Sequence, residues 1–185
     1  MDDDKIIELF FARDESAIGA LDGKYGKESR RISANILGNR MDAEECVNDA
    51  YLGVWNSVPP NRPRPLLTYL CRIVRNVSIK RYHENTATKR NSRYDVALDE
   101  IEECLSSPNS VEAEYDNAEL ARIIESFLDT LTAENRVIFM RRYWFSDTYE
   151  EIARSVGLTK KNVSVRLTRL RKQMQIYLNE KGISI

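Results

Sequence analysis

The chain has 185 residues, 42% hydrophobic and 31% charged, and its 28 Lys or Arg against 29 Asp or Glu leave a formal net charge of −1. That balance suits a soluble protein of one or two domains with enough apolar side chain for real cores. No apolar run reaches the roughly 18 to 20 residues of a membrane span, and the acidic start MDDDK lacks the basic segment and apolar stretch of a secretory signal, so a cytoplasmic protein is expected. Cys46, Cys71 and Cys104 are odd in number and have no CxxC pair, and His83 is the sole histidine. Neither a disulfide framework nor a zinc site is supported, so reduced buried thiols, a solvated imidazole and no metal or cofactor are expected.

In chain order, periodicity predicts helices and no strands. Segments 6–11 and 18–37 read as helical. Asp42 can cap a helix in which Ala43, Cys46, Val47, Ala50 and Val54 recur at the spacing of one buried stripe. Opposite that stripe lie Glu45, Asn48 and Asp49 together with Leu52 and Trp55, two large apolar residues where water is expected. Apolar side chains rimmed by acids suggest a protein partner, and folding of Trp55 into its own core is the alternative. The helix must end at VPPNRPRP, because its prolines remove amide donors and push their neighbours out of α conformation. A second long helix, 66–83, follows.

Charge is segregated. Segment 72–93 holds seven Lys or Arg against Glu84, whereas 95–116 holds eight acids and no base. The acidic segment also contains the breaker cluster SSPNS, so 92–117 is expected to be a flexible acidic linker between a domain at 1–91 and another at 118–185. In the basic zone, Asn61, Arg62, Arg64, Tyr69, Arg72, Arg75, Asn76 and Lys80 mix cations, amides and a ring, the composition of a single-strand site. A solvated basic helix face has the same composition.

Beyond the linker, Leu120, Ile123, Ile124, Phe127, Leu128 and Leu131 form a stripe, and Thr132 opens a helix carrying Val137, Ile138, Met140 and Tyr143. Thr148 with Glu151 three residues on reads as a capping box, with Tyr149, Ile152, Ala153 and Val156 as its buried face, and Gly157 permits a sharp turn. Thr159 can cap the next helix, whose buried stripe is Val163, Leu167, Leu170 and Met174. A short helix, a glycine turn and a basic second helix make a helix-turn-helix. Its outward candidates for duplex DNA are Lys160, Lys161, Asn162, Ser164, Val165, Thr168, Arg169 and Lys172. Cations can meet phosphates and guanine edges, the polar side chains can bond bases, and Val165 can pack on a thymine methyl.

No glycine-rich phosphate loop, nucleophile elbow or metal spacing is present in the sequence, so no catalytic set is expected. An acid pair assembled only by the fold stays open at this stage. Two readings are open on the residues so far: a stand-alone helix-turn-helix regulator, which leaves Leu52, Trp55 and the proline loop idle, and an enzyme acting on single-stranded nucleic acid.

Three segments, MDAEECVNDAYLGVW, LLTYLCRIVRNVSIKRY and LTAENRVIFMRRYWFSDTYEEIARSVGLTKKNVSVRLTRLRKQM, occur in the order found in bacterial RNA polymerase sigma factors of the small extracytoplasmic-function (ECF) group, which the chain resembles. The resemblance implies an all-α, two-domain initiation factor that catalyses nothing itself. It places Glu45, Asn48, Asp49, Leu52 and Trp55 against the clamp helices of the largest polymerase subunit, with the second domain at the flap of the second-largest. It places the 58–65 loop with Arg75 and Asn76 at a flipped base of the −10 element, and 161–172 in the −35 duplex. The family often has an anti-sigma partner, which the resemblance therefore allows.

Overall fold

The computed structural model describes residues 1–85, 92–105 and 117–183, except for the side chains of 102–105, 117, 118 and 120. Cys104 and Leu120 therefore lie outside the described side chains. Every regular element among the described residues is helical, and the chain divides into two units, Met1–Ser92 and Arg93–Ile185. No described helix is long and apolar enough to cross a membrane.

The first unit holds α1 (Asp3–Phe11), α2 (Ser16–Leu37), α3 (Arg40–Ser57) and α4 (Leu66–Asn85). Helices α2, α3 and α4 pack pairwise, and α1 lies on α2. The stripe expected on α3 is buried throughout, with Tyr51 added to it, and Leu21, Ile32 and Ile36 of α2 and Leu66, Leu70 and Val74 of α4 are fully buried as well. The α3 cap differs from expectation. Asn39 is the N-cap, its side chain accepting from the Met41 amide, and Asp42 lies inside the first turn, where it accepts from Asn39 Nδ2. Between α2 and α4 the buried Ser33 and Ser78 hydroxyls bond at 2.8 Å, satisfying two polar groups inside an apolar seam. Cys46 and Cys71 are buried and free, and burial pushes the Cys71 thiol up to about 11, far from reactive thiolate. His83 is exposed, as expected.

The second unit begins with α5 (Arg93–Leu105), followed by α6 (Asn117–Thr130), α7 (Ala133–Tyr143), α8 (Tyr149–Val156) and α9 (Lys160–Glu180). The expected linker is thus helical from its second residue to 105, and this helix packs on α7 and α9. One apolar cluster joins Phe127, Phe139, Leu170, Met174 and Leu178, with Ile101 of α5 against it, and a second joins Ile138, Ile152, Ala153, Val163 and Leu167. Tyr143 touches both. On α7, Ile138 and Phe139 take the core directions and Val137 is 46% exposed.

Between α7 and α8 the chain turns at Ser146, which has φ of 55° and is fully buried, its hydroxyl finding no partner among the described residues. The left-handed conformation and the unpaired hydroxyl both oppose folding. Ser146→Gly is therefore expected to stabilise the unit by about 1 kcal/mol, net of the extra freedom glycine has when unfolded, as read from a raised denaturation midpoint. A lowered midpoint would mean that the hydroxyl has a role in the turn.

Candidate nucleic-acid and polymerase interface

The helix-turn-helix is built as its sequence implies. Thr148 accepts from the Glu151 amide while Glu151 Oε2 accepts from the Thr148 amide at 2.8 Å, so the capping box is complete. Gly157 takes φ of 70°, the left-handed value that lets its amide reach Ala153 O and turns the chain sharply. Thr159 then caps α9 by accepting from the Asn162 amide. Arg93 of α5 donates to both Glu151 oxygens, at 2.9 and 3.0 Å.

Burial alone would raise the Glu151 carboxyl, but the Thr148 amide and hydroxyl and the Arg93 guanidinium outweigh it and hold the group at about 2. Because the folded value lies below the unfolded one, near 4.5, this stabilisation is complete above about pH 4.5 and is lost as the pH falls toward 2. Glu151→Gln should lower stability at neutral pH and flatten its dependence in that window. An unchanged acid-denaturation profile would contradict the assignment.

On α9, Val163, Leu167, Leu170, Met174 and Leu178 are buried. Lys160, Lys161, Asn162, Thr168, Arg169 and Lys172 are exposed, Val165 is 41% exposed and Ser164 is half-buried. The structure thus presents the whole expected set along one side of α9. Lys160 is paired with Glu150, and Arg166 with Glu134. Arg171 behaves differently: it turns inward to Glu100 at 3.3 Å and to the Tyr143 hydroxyl at 2.9 Å.

Glu100 is the centre of a cluster that sequence reasoning missed. Arg142, 4% exposed, donates to it twice, from Nε at 3.0 Å and Nη2 at 2.7 Å, and bonds Asp147 O through Nη1. The Tyr149 hydroxyl reaches Glu100 at 3.1 Å. One acid of the expected linker therefore pairs with two arginines of the helix-turn-helix unit. The excess of acids in 95–116 signalled a counter-charge without saying which cations it would meet.

In the first unit, the proline loop and α4 carry the second candidate set. Asn61, Arg62, Arg64, Arg72, Asn76 and Lys80 are exposed, while Tyr69 and Arg75 are half-buried. Tyr69 is already engaged, its hydroxyl donating to Ser57 Oγ at 2.8 Å and its ring lying beneath Arg72, 5.4 Å from the guanidinium. Asn61 donates to Ser57 O, and Lys80 lies 4.0 Å from Glu84. Arg62 and Arg64 pair with α1, at Glu8 and Asp4.

On the outer face of α3, Asn48 and Asp49 are exposed and Leu52 is 55% exposed, a large apolar side chain open to water. Glu45 is exposed and accepts from Arg81 at 2.7 Å. Trp55 divides its surface. Its ring meets Phe10 edge to face, with centroids 6.0 Å apart, and Arg13 lies 5.4 Å above it, leaving the ring half-buried. Trp55 is thus partly folded into its own unit, and part of its surface stays open to solvent.

Two family profiles match the chain in order: Sigma-70 region 2 over residues 22–88 and Sigma-70, region 4 over residues 121–174. The ECF RNA polymerase sigma factor SigL of Mycobacterium tuberculosis is 24% identical over 94% of this chain and 95% of its own length. The ECF RNA polymerase sigma factor SigE of Mycolicibacterium smegmatis is also 24% identical, over 80% of this chain and 56% of its own. A solved structure of CnrH in complex with the cytosolic domain of CnrY aligns over 97% of this chain and 99% of that chain, at 20% identity and a TM-score of 0.45. With a region 2 unit followed by a region 4 unit whose helix-turn-helix is fully capped, the chain belongs to the ECF group of RNA polymerase sigma factors, which bind core polymerase and recognise promoter elements.

Proposed function

We propose that the two units divide promoter recognition between them and that polymerase is held chiefly through α3. Leu52 and the open part of Trp55, rimmed by Glu45, Asn48 and Asp49, dock on the clamp helices of the largest polymerase subunit, and the region 4 unit meets the flap of the second-largest. Lys160, Lys161, Asn162, Ser164, Val165, Thr168, Arg169 and Lys172 read the −35 duplex. Asn61, Arg62, Arg64, Tyr69, Arg72, Arg75, Asn76 and Lys80 hold the opened −10 strand. Opening costs a few kcal/mol per flipped base, which a shaped loop and stacking must offset. The protein acts in the cytoplasm, contributes no chemistry of its own, and is open to control by an anti-sigma factor.

The observation that carries this reading is Leu52, a leucine 55% exposed on a helix whose opposite stripe is wholly buried. A free DNA-binding regulator has no use for it. The near-zero net charge agrees, since a factor working on polymerase needs little phosphate attraction of its own. The test is reconstitution with core polymerase, followed by footprinting: a complex protecting two separated promoter segments is expected. Failure to bind core, or binding to duplex DNA equally well without it, would overturn the reading.

A further inference from the structure

Helix α1 precedes the first matched family segment, which begins at residue 22, yet it touches the proline loop twice. Arg62 Nη1 donates to Glu8 Oε1 at 2.7 Å, with its guanidinium 4.2 Å from the Phe11 ring centroid, and Arg64 Nη2 donates to Asp4 Oδ1 at 2.9 Å. Asp4 and Glu8 are four residues apart and so share one face of the helix. That face is firmly placed. Ile6, Ile7 and Phe10 are at most 1% exposed, Asp2 caps the helix, and Asp3 receives both Lys24 Nζ at 2.6 Å and the Tyr25 hydroxyl.

These pairs explain little about folding. The four side chains are between 48% and 73% exposed, and surface ion pairs of that kind contribute almost nothing to stability. Their effect on a nucleic acid is larger. Two unpaired arginines on a loop attract any strand through its phosphates and follow the backbone in any register. A carboxylate fixed beside each one cancels the attraction at long range and holds the guanidinium in one orientation, while its remaining N–H donors stay available at close range.

We propose that Asp4 and Glu8 are specificity-determining residues of the −10 site, suppressing sequence-blind binding by Arg62 and Arg64 so that base-dependent contacts decide which strand is held. The inference rests on the reading of the proline loop as the −10 site. A strand seated by its bases meets the arginines in one fixed geometry, so it loses less to the carboxylates than a strand held by phosphates alone.

The experiment uses holoenzyme reconstituted with wild-type protein, with Asp4→Asn plus Glu8→Gln, and with Arg62→Ala plus Arg64→Ala. The probes are single-stranded oligonucleotides carrying the −10 segment of a protected promoter or the same bases scrambled, each titrated at several salt concentrations. In the Asp4/Glu8 variant the scrambled strand should bind about tenfold tighter and the matched strand far less so, with a salt slope steeper by about 0.7 for each additional phosphate neutralised. An unchanged ratio and slope, or equal change on both strands, would overturn the proposal while the −10 reading survives, provided that the arginine variant binds more weakly. If the arginine variant binds both strands as wild type does, the loop is not the strand site and both readings fall.

Discussion

Glu100→Ala should destabilise the region 4 unit by about 3 kcal/mol, the low end of what is lost when one partner of a buried ion pair is removed. The low end applies because Glu100 keeps a fifth of its side chain in water, and Arg142 can recover some hydration if α5 loosens. What remains is severe. Arg142 is 4% exposed and would lose two charge-assisted bonds at 2.7 and 3.0 Å, Arg171 would lose one, and the Tyr149 hydroxyl would lose its acceptor. Glu100→Gln, which keeps an acceptor but no charge, should fall between the two. Hydrogen exchange at the α7 and α9 amides measures the loss helix by helix. If protection there is unchanged in Glu100→Ala, the cluster is a surface ornament and α5 is held by its apolar side alone.

The second large effect separates two neighbours on α3. Leu52→Ala should weaken polymerase binding about tenfold, the cost of a good interface anchor, and leave the melting temperature within a degree or so, since more than half of the residue is open to solvent. Trp55→Ala should weaken polymerase binding at least as much and also destabilise the unit by about 2 kcal/mol. The half-buried ring supports Phe10 of α1 at 6.0 Å and lies beneath Arg13, so its removal leaves a gap under α1. Calorimetric melting beside a polymerase titration reads both quantities. Wild-type polymerase affinity in both variants would remove α3 from the interface, and an unchanged melt in Trp55→Ala would show that α1 does not depend on the ring.

How far the sequence carries the fold follows from the range of the interactions involved. Caps and stripes are local, so the Thr148 and Glu151 box, the Gly157 turn and the buried face of α9 can all be read from spacing. The exposed face of α9 follows by subtraction. The start of α3 is harder to place because Asn39 and Asp42 are both good caps three residues apart, and only the backbone distinguishes the one that is extended. Within the expected linker, 106–116 lies outside the described residues, and 93–105 misleads for a different reason. The acids and breakers are the local signature of a linker, whereas Tyr94 and Ala97 are buried and Ile101 packs against the cluster of Phe127, Phe139 and Leu170, residues far along the chain. Arg171 is likewise indistinguishable in sequence from Arg169, yet one turns to Glu100 and the other to solvent. For the proline loop, composition names the arginines and is silent on Asp4 and Glu8, which lie more than fifty residues upstream.

The docking of α5 also fixes where this protein can be cut. A fragment beginning at residue 118 contains every residue of the matched region 4 segment, but it discards Glu100 and opens Arg142 to water. A fragment beginning at Arg93 keeps the acid, and with it the surface against which α7 and α9 are set. The smallest transplantable promoter reader in this chain is therefore larger than its signature, and a graft that respects only the signature would carry the recognition helix without the carboxylate that holds its second half in place.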